Sequence, residues 1–245
     1  MITHYHRPTT LDDAVALIAR PDAVILAGGT TVNADPRSAP STAVDLQDLG
    51  LDDIDADGDV VRIGATARLQ DLVDSSLVPS VLRDLARREA PSTIRTMATV
   101  GGTIGAAEPE SELLAGFLAF GARATVVRAG SPTEHDLSDL LANAALLKGA
   151  IITAISVPAT GDGAADRTGR TPMDRPIVAA VAFRSAEGTV RLAMTGVATH
   201  PVVVDPANLA DLYPPSDFRG SSDYRKRLAE VLAQRVVDAV EGGAG

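Results

Sequence analysis

Two glycine pairs are the residues in this chain whose type and setting point most directly to ligand binding. Ala27-Gly28-Gly29-Thr30-Thr31 follows the apolar run Val24-Ile25-Leu26, and Val100-Gly101-Gly102-Thr103 lies about seventy residues further on. Adjacent glycines let consecutive backbone N–H groups point one way, and with no Cβ intruding a bulky anion can come close. The threonines add hydroxyl donors beside those amides. A dinucleotide pyrophosphate is the natural guest of such a pair; a plain tight turn is the other use of the same residues.

Other chemistry is poorly represented. The chain holds no Gly-x-x-x-x-Gly-Lys-Ser/Thr, Gly-x-Gly-x-x-Gly, His-Glu-x-x-His or Gly-x-Ser-x-Gly motif. His4, His6, His135 and His200 are scattered, whereas a metal centre wants clustered donors. No metal ligand and no catalytic residue is nominated. Cysteine is absent, which excludes disulfides and a cysteine-ligated iron–sulfur cluster on this chain. Asp+Glu number 32 against 22 Lys+Arg, and the formal charge of −10 argues against a nucleic-acid partner. No apolar run approaches the roughly 18–20 residues of a membrane span. The opening residues lack a signal-peptide pattern, so a cytoplasmic location is expected.

The elements that must hold the two turns follow from periodicity. Thr10 is placed to cap a helix opening at Leu11, and Val24–Ala27 reads as a buried strand running into the first glycine pair. Further strands are expected at 43–46, 60–64, 124–127 and 151–157, with helices at 69–73, 79–89 and 112–120. Residues 99–105 look too glycine-rich for a regular element. Residues 159–172 lack large apolar side chains and are expected to form a linker. Beyond it, 177–184 and 189–197 read as a hairpin, followed by an amphipathic helix over about 223–240.

Several segments, in their order and spacing, resemble the FAD-binding medium subunit of molybdopterin-dependent hydroxylases, the group of carbon monoxide dehydrogenase and xanthine dehydrogenase. They are Tyr5-His6-Arg7-Pro8 with Thr10-Leu11-Asp12-Asp13-Ala14, Leu26-Ala27-Gly28-Gly29-Thr30, Val44-Asp45-Leu46, Arg62-Ile63-Gly64-Ala65, Ile94-Arg95 running into Thr99-Val100-Gly101-Gly102, Ile151 to Pro158, and Asp217 to Arg225. The resemblance covers nearly the whole chain. It implies an α+β fold: a two-part PCMH-type FAD-binding domain at 1–160, with subdomains of about 1–50 and 51–160, then a small C-terminal domain at 173–245 with an antiparallel sheet plus helices.

The same resemblance implies an FAD site. Residues Ala27, Gly28, Gly29, Thr30, Thr31 and Val32 would cradle the pyrophosphate, and Thr99, Gly101, Gly102 and Thr103 would form a second loop. Glu112 would meet a ribose or neighbouring hydroxyl, Ile152 a ring, and Arg167 the region of the isoalloxazine. Gly28 or Gly102 replaced by Val is then expected to abolish flavin retention in a folded protein. The implied partners are a molybdenum-binding large subunit and a 2Fe-2S small subunit, which would carry the molybdopterin and the cluster, and an external electron acceptor. Thr103 and Glu112 stand where the family usually has Asn and Asp. Glu108, Glu110 and Glu112 would crowd negative charge near a pyrophosphate unless they face water, so a scaffold that has lost FAD is one alternative and a stand-alone flavin oxidoreductase another.

Overall fold

The computed structural model describes residues 2–32, 41–171 and 174–242. The chain opens with β1 (Ile2–His6), α1 (Leu11–Ile18), β2 (Ala23–Leu26) and β3 (Ser41–Asp45). These strands form a parallel sheet in the order β1-β3-β2. Thr10 does cap α1, its hydroxyl accepting from the Asp13 amide at 3.2 Å. One face of α1 buries Ala14, Val15 and Ile18 against Val44 and Leu46, and Val127 and Ile151 join this small core from the neighbouring module.

That neighbour is built on a five-stranded antiparallel sheet. In chain order come β4 (Ile54–Asp57), β5 (Val60–Gly64), α2 (Leu69–Asp74), α3 (Ser80–Glu89), α4 (Ser92–Arg95), α5 (Val100–Ala106), α6 (Glu112–Ala119), β6 (Arg123–Arg128), β7 (Ser131–Asp136), α7 (Leu137–Ala142) and β8 (Ile151–Pro158). The strand order is β4-β5-β8-β6-β7. All eight residues of α6 are buried, which makes it the central rod of the molecule. Gly116 permits this: a Cβ there would press on Leu82 and Leu85 of α3.

The last module is the antiparallel sheet β12-β11-β10-β9, formed by β9 (Asp162–Thr168), β10 (Val178–Arg184), β11 (Val190–Thr195) and β12 (Val202–Val204), with α8 (Ser222–Gly242) across it. Alternation along β10 divides its side chains between two cores. Val178, Ala180 and Ala182 face Ala229, Leu232, Ala233 and Val236 of α8, while Val181 and Phe183 join the core around α6. Arg225, 2% exposed, pins α8 to the sheet by donating to the carbonyls of Ile177 (2.7 Å) and Gly196 (3.2 Å). Among the described residues, no helix is long and apolar enough to cross a membrane.

Two expectations are corrected. Residues 162–168 are a strand, not part of a linker, paired along their length with β10. Residues 163–165 are small, and at Gly163 bulk is supplied from outside: a Cβ there would sit 3.1 Å from both Phe120 and Val81. The glycine-rich stretch after Thr99 is helical, since Thr99 caps α5 by accepting from Gly102 N at 3.1 Å. Tertiary contact outweighs weak propensity here, because Gly101 lets α5 lie against Ala65, whose carbonyl oxygen would be 2.9 Å from a Cβ.

The two glycine segments meet. A Cβ on Gly28 would overlap the Met97 carbonyl, whereas one on Gly105 has nothing within 4 Å. Gly28→Val therefore disturbs the protein itself, contrary to the expectation that it would leave the fold intact. Gly28→Ala should lower stability by about 1–3 kcal/mol, the range for forced overpacking. Gly105→Ala should leave it unchanged or raise it by up to about 1 kcal/mol through helix propensity. Thermal unfolding of both variants checks this contrast; equal melting temperatures would contradict it.

Candidate functional site

The junction between the parallel sheet and the five-stranded module encloses a cavity of about 1340 Å³, above the ~300–1,000 Å³ of most small-molecule sites. One wall comes from α1, β2 and the turn that leaves β2 at the carboxyl end of the parallel sheet, where α/β sheets commonly receive ligands. The other comes from Ala65 and Thr66 after β5, the cap of α5 and one side of that helix, the β6–β7 turn, residues 147–150 before β8, and Ile152 within it. Val15, Ile18, Ile25, Leu46 and Ile152 make much of the lining apolar.

Of the residues expected at the site, Ala27, Gly28, Gly29, Thr30, Thr31, Val32, Thr99, Gly101, Gly102 and Ile152 line this one cavity. The two glycine segments are unlike in their hydrogen bonding. In the second, Val100 N donates to Ala67 O (2.9 Å), Gly101 N to Ala65 O (2.7 Å), Gly102 N to the Thr99 hydroxyl and Thr103 N to Thr99 O (2.9 Å). Every amide from 100 to 103 is thus already satisfied. In the first, none of the amides of residues 28–32 has an acceptor among the described residues. Gly29 takes φ +70°, a conformation that costs glycine little. Backbone donors facing a cavity without protein partners suit an anion. Of the two segments, the turn at 28–32 is the one with donors left for an anion, while the second glycine pair serves close packing of α5.

Thr103, Glu112 and Arg167 are not on the cavity wall. The Thr103 hydroxyl folds back to donate to Thr99 O at 3.1 Å. Glu112, 4% exposed at the start of α6, pairs with Arg167 of β9 at 2.9 Å and with Arg88 at 3.7 Å. The other glutamates of this stretch are also answered by arginines: Glu110 by Arg219 and by Arg175 (3.8 Å), Glu108 by Arg175 (3.7 Å). Glu110 and Glu112 are therefore a clasp to the C-terminal module, while Glu108, its side chain 48% exposed, stays on a solvated face.

Sequence reasoning missed the cations on the wall: Arg20, Arg128 and Lys148. Arg20 sits 3.8 Å from Asp22, and Arg128 donates to the Leu146 carbonyl at 2.7 Å. Lys148 has no side-chain partner among the described residues. The available signal was slight. Ala129 and Gly130, at φ 50° and 79°, make the two-residue turn after Arg128, and Gly149 at φ 65° follows Lys148.

The residues present fit a dinucleotide with a charged bridge: amides on a glycine turn with no acceptor among the described residues, basic side chains in an otherwise acidic chain, and apolar walls for rings. Comparison with known proteins agrees. The model of the family described as the FAD binding domain in molybdopterin dehydrogenase matches residues 1–160. The uncharacterized protein YgfM of Escherichia coli (strain K12) is 32% identical over 263 residues, 99% of this chain and 98% of that protein. The carbon monoxide dehydrogenase medium chain of Afipia carboxidovorans is 28% identical over 279 residues, 98% of this chain and 97% of its own length. Among solved structures, the cyanide-inactivated form of Cu,Mo-CO dehydrogenase matches with a TM-score of 0.88 at 26% identity, covering 100% of this chain and 99% of that one.

The clasp has a pH signature. Burial pushes the Glu112 carboxyl above its ordinary 4.5, outweighing the lowering influence of Arg88 and Arg167. Burial also raises Glu89, whose carboxylate accepts from Leu113 N at 3.1 Å. A carboxyl with a raised folded pKa holds its proton more tightly in the folded state. Its contribution to stability therefore grows as pH falls from neutral through that pKa toward 4.5, and is lost as pH rises. Asp217, lowered from 3.8 chiefly by its bond from Arg225, acts only below this window. Glu112→Gln should gain less melting temperature than the unaltered protein between about pH 7 and pH 5. Parallel melting curves for the two proteins across that range would contradict the assignment.

Proposed function

The chain belongs to the family of FAD-binding domains in molybdopterin dehydrogenases, and we propose that it is the flavin-carrying electron-transfer subunit of a molybdenum-hydroxylase-type oxidoreductase. The observation that carries the proposal is the cavity at the module junction, where the turn at 28–32, whose amides have no acceptor among the described residues, stands across from a wall bearing Arg128 and Lys148. Those amides would hold the FAD pyrophosphate. Lys148 would add countercharge, and Ile152 with the apolar wall would cover a ring. Thr99 would act by capping α5 and shaping the opposite wall.

When bound, FAD supplies redox chemistry, exchanging electrons singly or in pairs. The protein's own residues bind and orient it, and none is assigned as an acid or a base. A chain without cysteine cannot ligate an iron–sulfur cluster in the usual way. We therefore place the 2Fe-2S cluster and the molybdopterin on partner chains, the small and large subunits, and take the final acceptor to be external. In the same reading, residues 1–160 form the FAD-binding domain and the C-terminal module begins at β9 rather than after it. The reading of a scaffold that has lost FAD rested on the crowded glutamates and on Thr103 and Glu112 in place of Asn and Asp; the pairing of the glutamates with Arg167, Arg175 and Arg219 answers the first of these grounds.

Titration of the purified chain with FAD, followed by flavin fluorescence and visible absorbance, tests the reading. One equivalent should bind. Gly105→Leu adds bulk at a cavity-lining position where no protein atom stands within 4 Å of a Cβ. It should keep the melting temperature of the FAD-free protein while weakening FAD binding by at least about tenfold, some 1.4 kcal/mol. A protein that leaves added FAD fluorescence unchanged contradicts the proposal.

A further inference from the structure

We propose that Gln47, held from behind by Asp45 and Tyr5, is a positioning residue that sets the direction of the first free amide in the 28–32 turn. The proposal rests on the reading of that turn as the FAD pyrophosphate cradle. A turn whose own amides bond to nothing in the protein takes its orientation from the points where it is tied down. Among the described residues, Gln47 is the one side chain that hydrogen-bonds to residues 27–32: its Nε2 donates to the Ala27 carbonyl at 2.9 Å. Nearby, Leu46 N donates to Leu26 O at 2.9 Å, so the strand ladder ends one residue before the bond from Gln47.

The effect follows from peptide geometry. The Ala27 carbonyl and the Gly28 N–H belong to one planar trans unit and point in opposite directions. Gln47, pulling on the oxygen from one side, therefore fixes the N–H on the other. Gln47 is itself held. Its backbone amide donates to Asp45 Oδ1 at 3.0 Å, and Asp45, 3% exposed, accepts from the Tyr5 hydroxyl through Oδ2 at 2.5 Å. Tyr5, Asp45 and Ala27 stand at or just past the carboxyl ends of β1, β3 and β2, so one relay crosses all three strands of the parallel sheet and ends at the cradle. Gln47 is exposed, and among the described residues its side chain's hydrogen bond is the one to Ala27.

The test uses the full chain and FAD, with Gln47→Met, Tyr5→Phe, the double variant, and Asp48→Asn as a neighbouring control. Gln47→Met keeps length without a donor and should weaken FAD binding about three- to tenfold, the worth of one net hydrogen bond. The melting temperature of its FAD-free form should stay within about 2 °C of the parent's, less than 1 kcal/mol costs at this size. Tyr5→Phe should weaken binding less. The double variant should bind no worse than Gln47→Met alone, because both changes act through one relay. Asp48→Asn should leave affinity unchanged. Equal affinity of Gln47→Met and the parent overturns the proposal while the FAD reading stands, and so does a melting temperature that falls in step with affinity. A parent protein that binds no FAD fails the underlying reading instead.

Discussion

Bare backbone meets bare backbone where Gly28 lies against the carbonyl of Met97, and the cavity depends on that approach. The contact joins the turn leaving the parallel sheet to the segment that enters α5, so two modules with separate sheets share one wall. Any side chain at position 28 would hold them apart. The same closeness recurs one layer down, where Gly101 brings α5 against Ala65. Glycine at these positions removes bulk between protein segments, and beside that contact residues 28–32 line the cavity with amides that have no acceptor among the described residues.

Charge is distributed to match. The chain is acidic as a whole, yet the cavity wall carries Arg20, Arg128 and Lys148 against one carboxylate among the described residues, Asp12, and Glu110 and Glu112 are turned toward arginines of the C-terminal module. Partly buried pairs of this kind are screened less by salt than surface pairs. They hold negative side chains away from a site suited to an anion, and they tie α6, the buried centre of the molecule, to β9 and to the segment before α8.

Much of the fold could be read from apolar periodicity. β5, β8, β10, α3, α6 and α8 bury one face or both, and their sequences repeat accordingly. The elements that escaped are those whose stability comes from elsewhere. β7 is a polar edge strand, β9 is small-residued at 163–165, with Phe120 and Val81 filling the space at Gly163, and α5 is a glycine-rich helix held by a cap and a close neighbour. The site divides likewise. Residues 27–32 and Ile152 could be located from short local motifs. Arg128, Lys148 and Gln47 could not, since nothing in a linear pattern tells which turns cross to the same cavity. Glu112 and Arg167 were both singled out, but for contact with a cofactor, and the structure pairs them with each other.

In the proposed reading, backbone would supply the donors and side chains shape, countercharge and orientation, as expected where a cofactor carries the chemistry. The central claim is that the first glycine turn, and not the second, receives the diphosphate bridge. Amide hydrogen exchange resolved to single residues, with and without saturating FAD, tests it most directly. Binding should slow exchange at Gly28 to Val32, whose amides have no acceptor among the described residues, and change little at Val100 to Thr103, which are bonded already. Protection appearing at 100–103 with none at 28–32 would contradict it.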